Sequence, residues 1–223
     1  GNGSDEILNF LFSAFCERGA AFPDITYSFY KILAKFHGVD FINIPLDENF
    51  RINSDDYKNL GGRTIFIVNP NAPTGIYLSL DEIEKIINQN PESLIIIDEA
   101  YIDFSCSKSL SGKITEYPNL IIMQTLSKAW GLAGLRIGLA MAIPEIVSLF
   151  SKVKYPYNIN GPAQQTALER ISPEIKEAHV KEILSERTRV VEAASESPVV
   201  KKVFPSDANF ILMRVDDPDG LYK

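Results

Sequence analysis

Three short, uninterrupted apolar runs, Ile65-Phe66-Ile67-Val68, Leu94-Ile95-Ile96-Ile97 and Leu120-Ile121-Ile122-Met123, constrain the fold more than any other feature. None alternates apolar with polar residues, so none suits a strand with one wet face, and each is too short for a buried helix. They are expected to be strands covered on both sides. Between the first two, Ser79 and Glu82 read as a capping box opening a helix that runs to Asn90 and is stopped by Pro91. Buried strands separated by helices predict an α/β chain, a mostly parallel sheet flanked by helices, with ligands expected at the carboxyl ends of the strands.

The same reading extends in both directions. Ser4 is placed to cap a helix with Asp5 and Glu6 in its first turn, an apolar face of Ile7, Leu8, Leu11, Phe12 and Phe15, and an end at Gly19. A short apolar piece ends at Phe22-Pro23, and Ile25-Thr26-Tyr27-Ser28-Phe29-Tyr30 leads into a helix that stops near Gly38. Residues 39–44 and 137–142 read as strands, 54–60 as a short helix, and 144–153 as a helix opened by Pro144. Asn69-Pro70-Asn71-Ala72-Pro73-Thr74-Gly75 is expected to be a loop, because two prolines and a closing glycine continue neither kind of element. The segment 155–162, rich in Tyr, Pro and Asn, marks the expected boundary between a large domain (1–158) and the beginning of a smaller α+β domain (159–223). The second part holds helices near 163–171 and 173–194, a closing strand at 209–215, and a helix that starts beyond Asp216 and is cut off at Lys223.

With 223 residues, 45% of them hydrophobic, the chain can bury a sizeable core. A net charge of −7 argues against nucleic acid as a partner, and no apolar run is long enough to span a membrane. No leader precedes Gly1-Asn2-Gly3, which reads as the middle of a functional loop, so the chain is expected to lack its natural beginning. Two cysteines, Cys16 and Cys106, and two histidines, His37 and His179, lack metal-ligand spacing, which points to a reducing, cytoplasmic setting without a bound metal. Cys16 is expected in the core. His37 is expected to meet free carbonyls at a helix end.

Chemistry concentrates in Thr125-Leu126-Ser127-Lys128-Ala129-Trp130-Gly131-Leu132-Ala133-Gly134-Leu135-Arg136, directly downstream of the third buried run. A lysine attacks a carbonyl only as the free amine, a form that burial or a neighbouring cation favours. Hydroxyls at Thr125 and Ser127 and the planar fork of Arg136 suit phosphate oxygens. Taken alone, a surface lysine beside a glycine-rich turn is an equal reading. Asp98 at the tip of a buried strand calls for a partner, either a protonated ring nitrogen or an ordinary cap or ion pair. Gly1-Asn2-Gly3 feeding a helix N-terminus is a second phosphate cradle, or simply a capped helix.

Five ordered motifs turn these fragments into one pattern: Gly1-Asn2-Gly3-Ser4-Asp5-Glu6, Ile25-Thr26-Tyr27-Ser28-Phe29-Tyr30, Asn69-Pro70-Asn71-Ala72-Pro73-Thr74-Gly75, Asp98-Glu99-Ala100-Tyr101, and Thr125-Leu126-Ser127-Lys128 with Arg136. Together they resemble the pyridoxal 5'-phosphate-dependent aminotransferases of fold type I, and among them the histidinol-phosphate aminotransferase branch. The resemblance implies that Lys128 binds the cofactor aldehyde as a Schiff base and shuttles a proton at the substrate α-carbon. It implies that Asp98 pairs with the pyridinium nitrogen, Tyr101 with the phenolic oxygen, and that Tyr27 stacks on the ring. Backbone amides of Ser4 and Asp5, the Ser127 hydroxyl and Arg136 would hold the phosphate. One departure stands out. Many relatives carry an asparagine just before Pro-Thr-Gly, where this chain has Ala72, leaving Asn71 as the candidate substitute.

The implied substrates are L-histidinol phosphate and 2-oxoglutarate or glutamate, in histidine biosynthesis, and the implied assembly is a homodimer. The substrate-gripping arginines and the N-terminal arm of the family would lie outside this chain, so the piece is expected to bind cofactor poorly and turn over little. Threonine-phosphate decarboxylases, other aminotransferases and the cofactor-sensing domain of a transcription factor share the same frame and remain open.

Overall fold

The structure, a computed structural model, describes residues 1–222. The expected truncation of the last helix at Lys223 therefore lies outside the described residues.

Six strands form the main sheet: β1 (Ala20–Pro23), β2 (Phe41–Ile44), β3 (Thr64–Val68), β4 (Ile95–Asp98), β5 (Leu120–Thr125) and β6 (Gly138–Met141), in the order β2-β1-β3-β4-β5-β6. All neighbours are parallel except β5 and β6, which are antiparallel. Strands β3 and β4, apolar except for Thr64 and Asp98, are buried at every position. Helices α1 (Ser4–Ala14), α2 (Phe29–Phe36) and α4 (Pro144–Val153) cover one face, where Leu8, Leu11, Phe12, Tyr30 and Leu33 pack on Phe66, Ile96 and Ile121. Helix α3 (Leu80–Gln89) covers the other, with Ile83, Ile86 and Ile87 on Ile65, Ile67, Ile95 and Ile97. The alternating Ile residues of one strand thus feed two separate cores. The rest of the chain forms α5 (Gly161–Arg170), α6 (Pro173–Ser195), a two-stranded antiparallel sheet of β7 (Val200–Val203) and β8 (Met213–Val215), and α7 (Pro218–Tyr222).

Several expectations are corrected. The cap of α1 is Gly3, with φ 76°, and Ser4 is already helical with no capping bond from its side chain. The helix ends at Ala14, well before Gly19, because Phe15 leaves helical geometry. The segment 54–60 forms only a 3-10 turn, Ser54–Tyr57, capped by the Asn53 side chain. The strand expected at 39–44 begins at Phe41. The closing strand shrinks to Met213–Val215, and its partner β7 has a sequence, Val-Lys-Lys-Val, that is too charged to announce itself. His37 turns from the helix end to Asn9, its Nε2 lying 2.8 Å from Asn9 Oδ1. Cys16 is buried as expected, packed in the first core.

Candidate active site

The chain order reverses direction across the sheet at β1 and β3, since β2 lies outside β1 and β3 to β5 run the other way. Ligands in open α/β sheets bind at such a point, beyond the carboxyl ends of the strands. A cleft of about 530 Å³, open solvent at its mouth included, lies on the β3 side of that point, beyond the carboxyl ends of the later strands, lined by Ser4, Asp5, Tyr27, Val68, Ala72, Asp98, Ala100, Tyr101, Thr125, Ser127, Lys128 and Arg136. Val68 ends β3, Asp98 ends β4 and Thr125 ends β5, so three adjacent strand tips build its floor.

Gly3 joins the two halves of this cleft that are farthest apart in sequence. Its N–H donates to the Arg136 carbonyl at 2.8 Å, and the Gly1 and Gly138 backbones exchange bonds of 2.9 and 3.0 Å. This stitching lays the first turn of α1 against the start of β6. Gly3 needs a positive φ, and the space a Cβ would take is filled by the Arg136 guanidinium. Gly138 is required for the same closeness, because a Cβ there would come within 2.5 Å of the Ser4 amide nitrogen. Arg136 itself sits in the left-handed region, φ 53°, a conformation that costs a non-glycine residue about 1–3 kcal/mol. First-turn amides of α1, the Arg136 side chain and the Ser127 hydroxyl thus share one rim. Thr125 fixes Ser127 there, accepting from its N–H at 3.1 Å while the two hydroxyl oxygens lie 2.9 Å apart.

Asp5 contributes more than an amide. Its carboxylate accepts from Tyr27 Oη at 3.0 Å and pairs with Arg136 at 3.4 Å, holding the tyrosine and the arginine in fixed relation. Burial, followed by the Asp5 charge, pushes the Tyr27 hydroxyl well above its ordinary pKa, so it stays a donor.

Asp98 is 4% exposed and accepts from the Ala100 N–H at 3.1 Å and from Tyr30 Oη at 3.3 Å. Burial raises its pKa to about 6, against the opposing pull of those two bonds, and the charged neighbours acting on it, Asp5 and Glu99, are both acids. A buried carboxylate that faces a cleft and has no ion-pair partner among the described residues fits a ligand that brings a cation, such as a protonated ring nitrogen. The next residue, Glu99, is equally buried but engaged elsewhere: it accepts from Ser109 Oγ at 2.5 Å, Leu110 N at 2.7 Å and Gln124 Nε2 at 2.9 Å, tying the polar loop after β4 to β5.

Lys128 lies on the turn after β5, closed by a bond from the Gly131 N–H to its carbonyl at 3.0 Å. Its Nζ stands 5.1 Å from the centre of the Tyr101 ring, and Phe210 packs edge-on against that ring at 5.0 Å. Lys128 is exposed, so burial is not what would favour its free amine.

Eight of the sequence-predicted residues, Ser4, Asp5, Tyr27, Asp98, Tyr101, Ser127, Lys128 and Arg136, line the one cleft. Asn71 does not. Its side chain accepts from Thr26 Oγ1 at 2.9 Å and donates to the Ile25 carbonyl and Thr74 Oγ1, both at 3.0 Å, which leaves Ala72 facing the cleft and Asn71 as the brace of its loop. Tyr30 was missed as a partner of Asp98. A tyrosine on the buried stripe of a helix needs a partner for its hydroxyl, and that requirement was the available signal.

The groups present match a ligand with an anionic end at the Arg136 rim and a protonated aromatic nitrogen at Asp98, with the Lys128 side chain lining the same cleft. This chain belongs to the aminotransferase class I and II family, whose pattern it matches over residues 1–220. It is 42% identical to the histidinol-phosphate aminotransferase of Parabacteroides distasonis, over the whole of this chain and 66% of that protein. In three dimensions it is similar to the histidinol-phosphate aminotransferase of Clostridium acetobutylicum, with a TM-score of 0.90 at 31% identity, covering 97% of this chain and 67% of that one. The fold also matches that of a Sinorhizobium meliloti histidinol-phosphate aminotransferase solved in complex with pyridoxal-5'-phosphate, with a TM-score of 0.88 at 22% identity, over 97% and 61% of the two chains. The chain spans 66% of the length of the curated relatives it matches.

Proposed function

We propose that the protein to which this chain belongs is a pyridoxal phosphate-dependent aminotransferase that moves an amino group between L-histidinol phosphate and 2-oxoglutarate. The observation that carries the reading is the convergence on one cleft of an anion rim, a buried carboxylate without an ion-pair partner among the described residues, and a lysine. Identity of about 40% to several enzymes of that name supports the substrate. When bound, pyridoxal phosphate supplies an aldehyde for an amine to take up and a protonated ring that draws electron density from the substrate α-carbon.

In this reading Lys128 would hold the aldehyde and, once released, would move the proton of the substrate α-carbon. Asp98 would accept from the ring nitrogen and keep its proton in place. Tyr101 would donate to the ring oxygen, and Tyr27, fixed by Asp5, would pack on the ring. Ser4 and Asp5 amides, Ser127 and Arg136 bind the phosphate, with charge-assisted bonds worth about 1.5–3 kcal/mol each.

The assembly proposed is a homodimer in the cytoplasm. Exposed Tyr155, Tyr157 and Leu168 on the linker and α5 support a contact with a second copy, and two unpaired cysteines support a reducing compartment. A large domain over 1–158 and a smaller one beginning at 159 are proposed as the two units of the chain.

The test is amino transfer from L-histidinol phosphate to 2-oxoglutarate by the full-length protein with pyridoxal phosphate, beside its Lys128→Ala variant. Transfer by the parent and a loss of at least about a thousandfold in the variant, together with loss of the visible absorbance of lysine-bound cofactor, is expected. Bound cofactor without transfer would end the substrate reading, and release of carbon dioxide from threonine phosphate would replace it with a decarboxylase. The likeness to a decarboxylase from Sulfurospirillum multivorans, TM-score 0.85 at 27% identity, keeps that second reading worth assaying.

A further inference from the structure

Behind Asp98, on the side away from the cleft, stands a side chain with no part in the roles assigned above. Tyr30 is 0% exposed, on the buried stripe of α2 with Leu33 and Ala34. Its ring is boxed by Phe12 from α1, Phe22 from β1, Phe66 from β3 and Tyr27, with centroids 6.3, 5.8, 5.3 and 5.8 Å away. Such a box would accept phenylalanine as readily, and burying a hydroxyl in it costs free energy unless the hydroxyl is bonded. The bond it makes runs to Asp98 Oδ2 at 3.3 Å, while Oδ1 takes the Ala100 N–H at 3.1 Å.

We infer that Tyr30 is a positioning residue for Asp98: locked in its aromatic box, its hydroxyl orients the carboxylate toward the cleft and holds it as the ionised acceptor that a protonated ring nitrogen requires. The inference deepens the proposed function and rests on it for the identity of the ligand. The physical need is plain from the surroundings. The charged groups that act most strongly on Asp98 and Tyr30, namely Asp5 on α1, Tyr27 ahead of α2 and Glu99 beyond β4, are acids or a phenol, while of the two cations that line the cleft Arg136 is paired with Asp5 and Lys128 makes no ion pair with Asp98. Two hydrogen-bond donors, the Ala100 N–H and the Tyr30 hydroxyl, are the groups in contact with Asp98 that favour the carboxylate over the neutral acid. Tyrosine keeps the proton it donates, because burial and the Asp98 charge hold its own pKa well above the ordinary value.

The experiment uses Tyr30→Phe in the full-length protein, a change that keeps the ring and removes one oxygen. In protein free of cofactor, the Asp98 carboxyl carbon is titrated by carbon-13 NMR, its signal assigned by its loss in Asp98→Asn. The midpoint is expected to rise by about one unit in Tyr30→Phe, and the affinity for pyridoxal phosphate to fall about tenfold at neutral pH, the scale of one bond to a charged group. In the Asp98→Asn background the same change should leave cofactor affinity within about twofold. An unmoved midpoint, or an equal loss of affinity in both backgrounds, would reduce Tyr30 to core filling and overturn the inference. A raised midpoint with no pyridoxal phosphate binding by the parent would uphold the coupling of Tyr30 to Asp98 and overturn the cofactor assignment instead.

Discussion

Asp98 and Glu99 are adjacent acids, both buried, with different consequences. Glu99 meets three donors and ties a loop to β5, and those bonds offset part of the burial that still raises its pKa. Asp98 meets two and faces a cleft, and its pKa is raised to about 6, chiefly by burial. The linkage has a definite sign. A carboxyl with a raised pKa in the folded state binds its proton more tightly folded than unfolded, so its contribution to stability is full below about pH 4 and is lost as pH rises through about 6. At pH 8 the ionised Asp98 therefore costs the cofactor-free protein on the order of 1–3 kcal/mol. Asp98→Asn is expected to raise the urea midpoint of cofactor-free protein at pH 8, to have little effect near pH 4, and to weaken pyridoxal phosphate binding at either pH. A stability difference independent of pH would show that Asp98 is not the titrating group. A residue that lowers stability until its ligand arrives is the signature expected of a binding site rather than of a core.

Helix starts in this chain are made in two chemically different ways, and the difference is measurable. At α5 the Asn160 side chain accepts from the Ala163 N–H at 2.8 Å, a conventional cap. At α1 the cap is Gly3 without any side-chain bond, leaving first-turn amides for an anion. Asn160→Ala should cost about 1 kcal/mol, whereas Ser4→Ala should stay within about 0.5 kcal/mol in cofactor-free protein, both read from urea unfolding. A cost of 1 kcal/mol or more for Ser4→Ala would restore it as a cap. The same contrast explains what could be read from sequence. Strands β3, β4 and β5 announced themselves because burial on both faces leaves no choice of residue, and α3 because its cap residue, Ser79, and its stop, Pro91, lie in the chain itself. The Ser4 expectation failed because a hydroxyl ahead of an apolar face looks like a cap whether or not the chain bends at the residue before it. Most of the cleft was legible because five ordered motifs occur together, whereas Asp98 and Lys128 by themselves read equally well as a cap or ion pair and a surface lysine. Asn71 and Tyr30 were not placed correctly because side-chain direction is set by loop geometry and by the opposite wall of the core, neither of which is written locally.

The two cores lie in the first two-thirds of the molecule, between Ile7 and Ile146, and after Phe150 the buried apolar residues are Ala163, Ala167, Phe204 and Ala208. Helix α6 has no buried residue along its 23 positions and leaves Ile175 and Val190 exposed. Contacts holding 173–215 to the rest include Lys176 to Asp103 at 2.7 Å and over the Trp130 ring at 4.7 Å, Lys202 to Asn49 Oδ1 at 2.7 Å, the Asp207 N–H to the Gly75 carbonyl at 2.7 Å, Phe204 edge-on to Phe50 at 4.9 Å, and Phe210 against Tyr101. Opening free energy follows buried apolar area and local contact density, so this chain should not unfold as one unit. Amide hydrogen exchange read by mass spectrometry is expected to give global protection in β3, β4 and β5 and protection lower by several kcal/mol across α6, β7 and β8. Phe204 is the one large side chain buried in that docking surface, and Phe204→Ala should remove about 3–5 kcal/mol from it. Exchange in 200–215 should then accelerate while β3 to β5 remain unchanged. Because Phe210 braces the Tyr101 ring beside Lys128, the same variant should also weaken pyridoxal phosphate binding without touching a cleft residue. Equal acceleration throughout the chain would mean that the two parts fold as a single cooperative body, with the docking contacts as much a part of the core as the sheet.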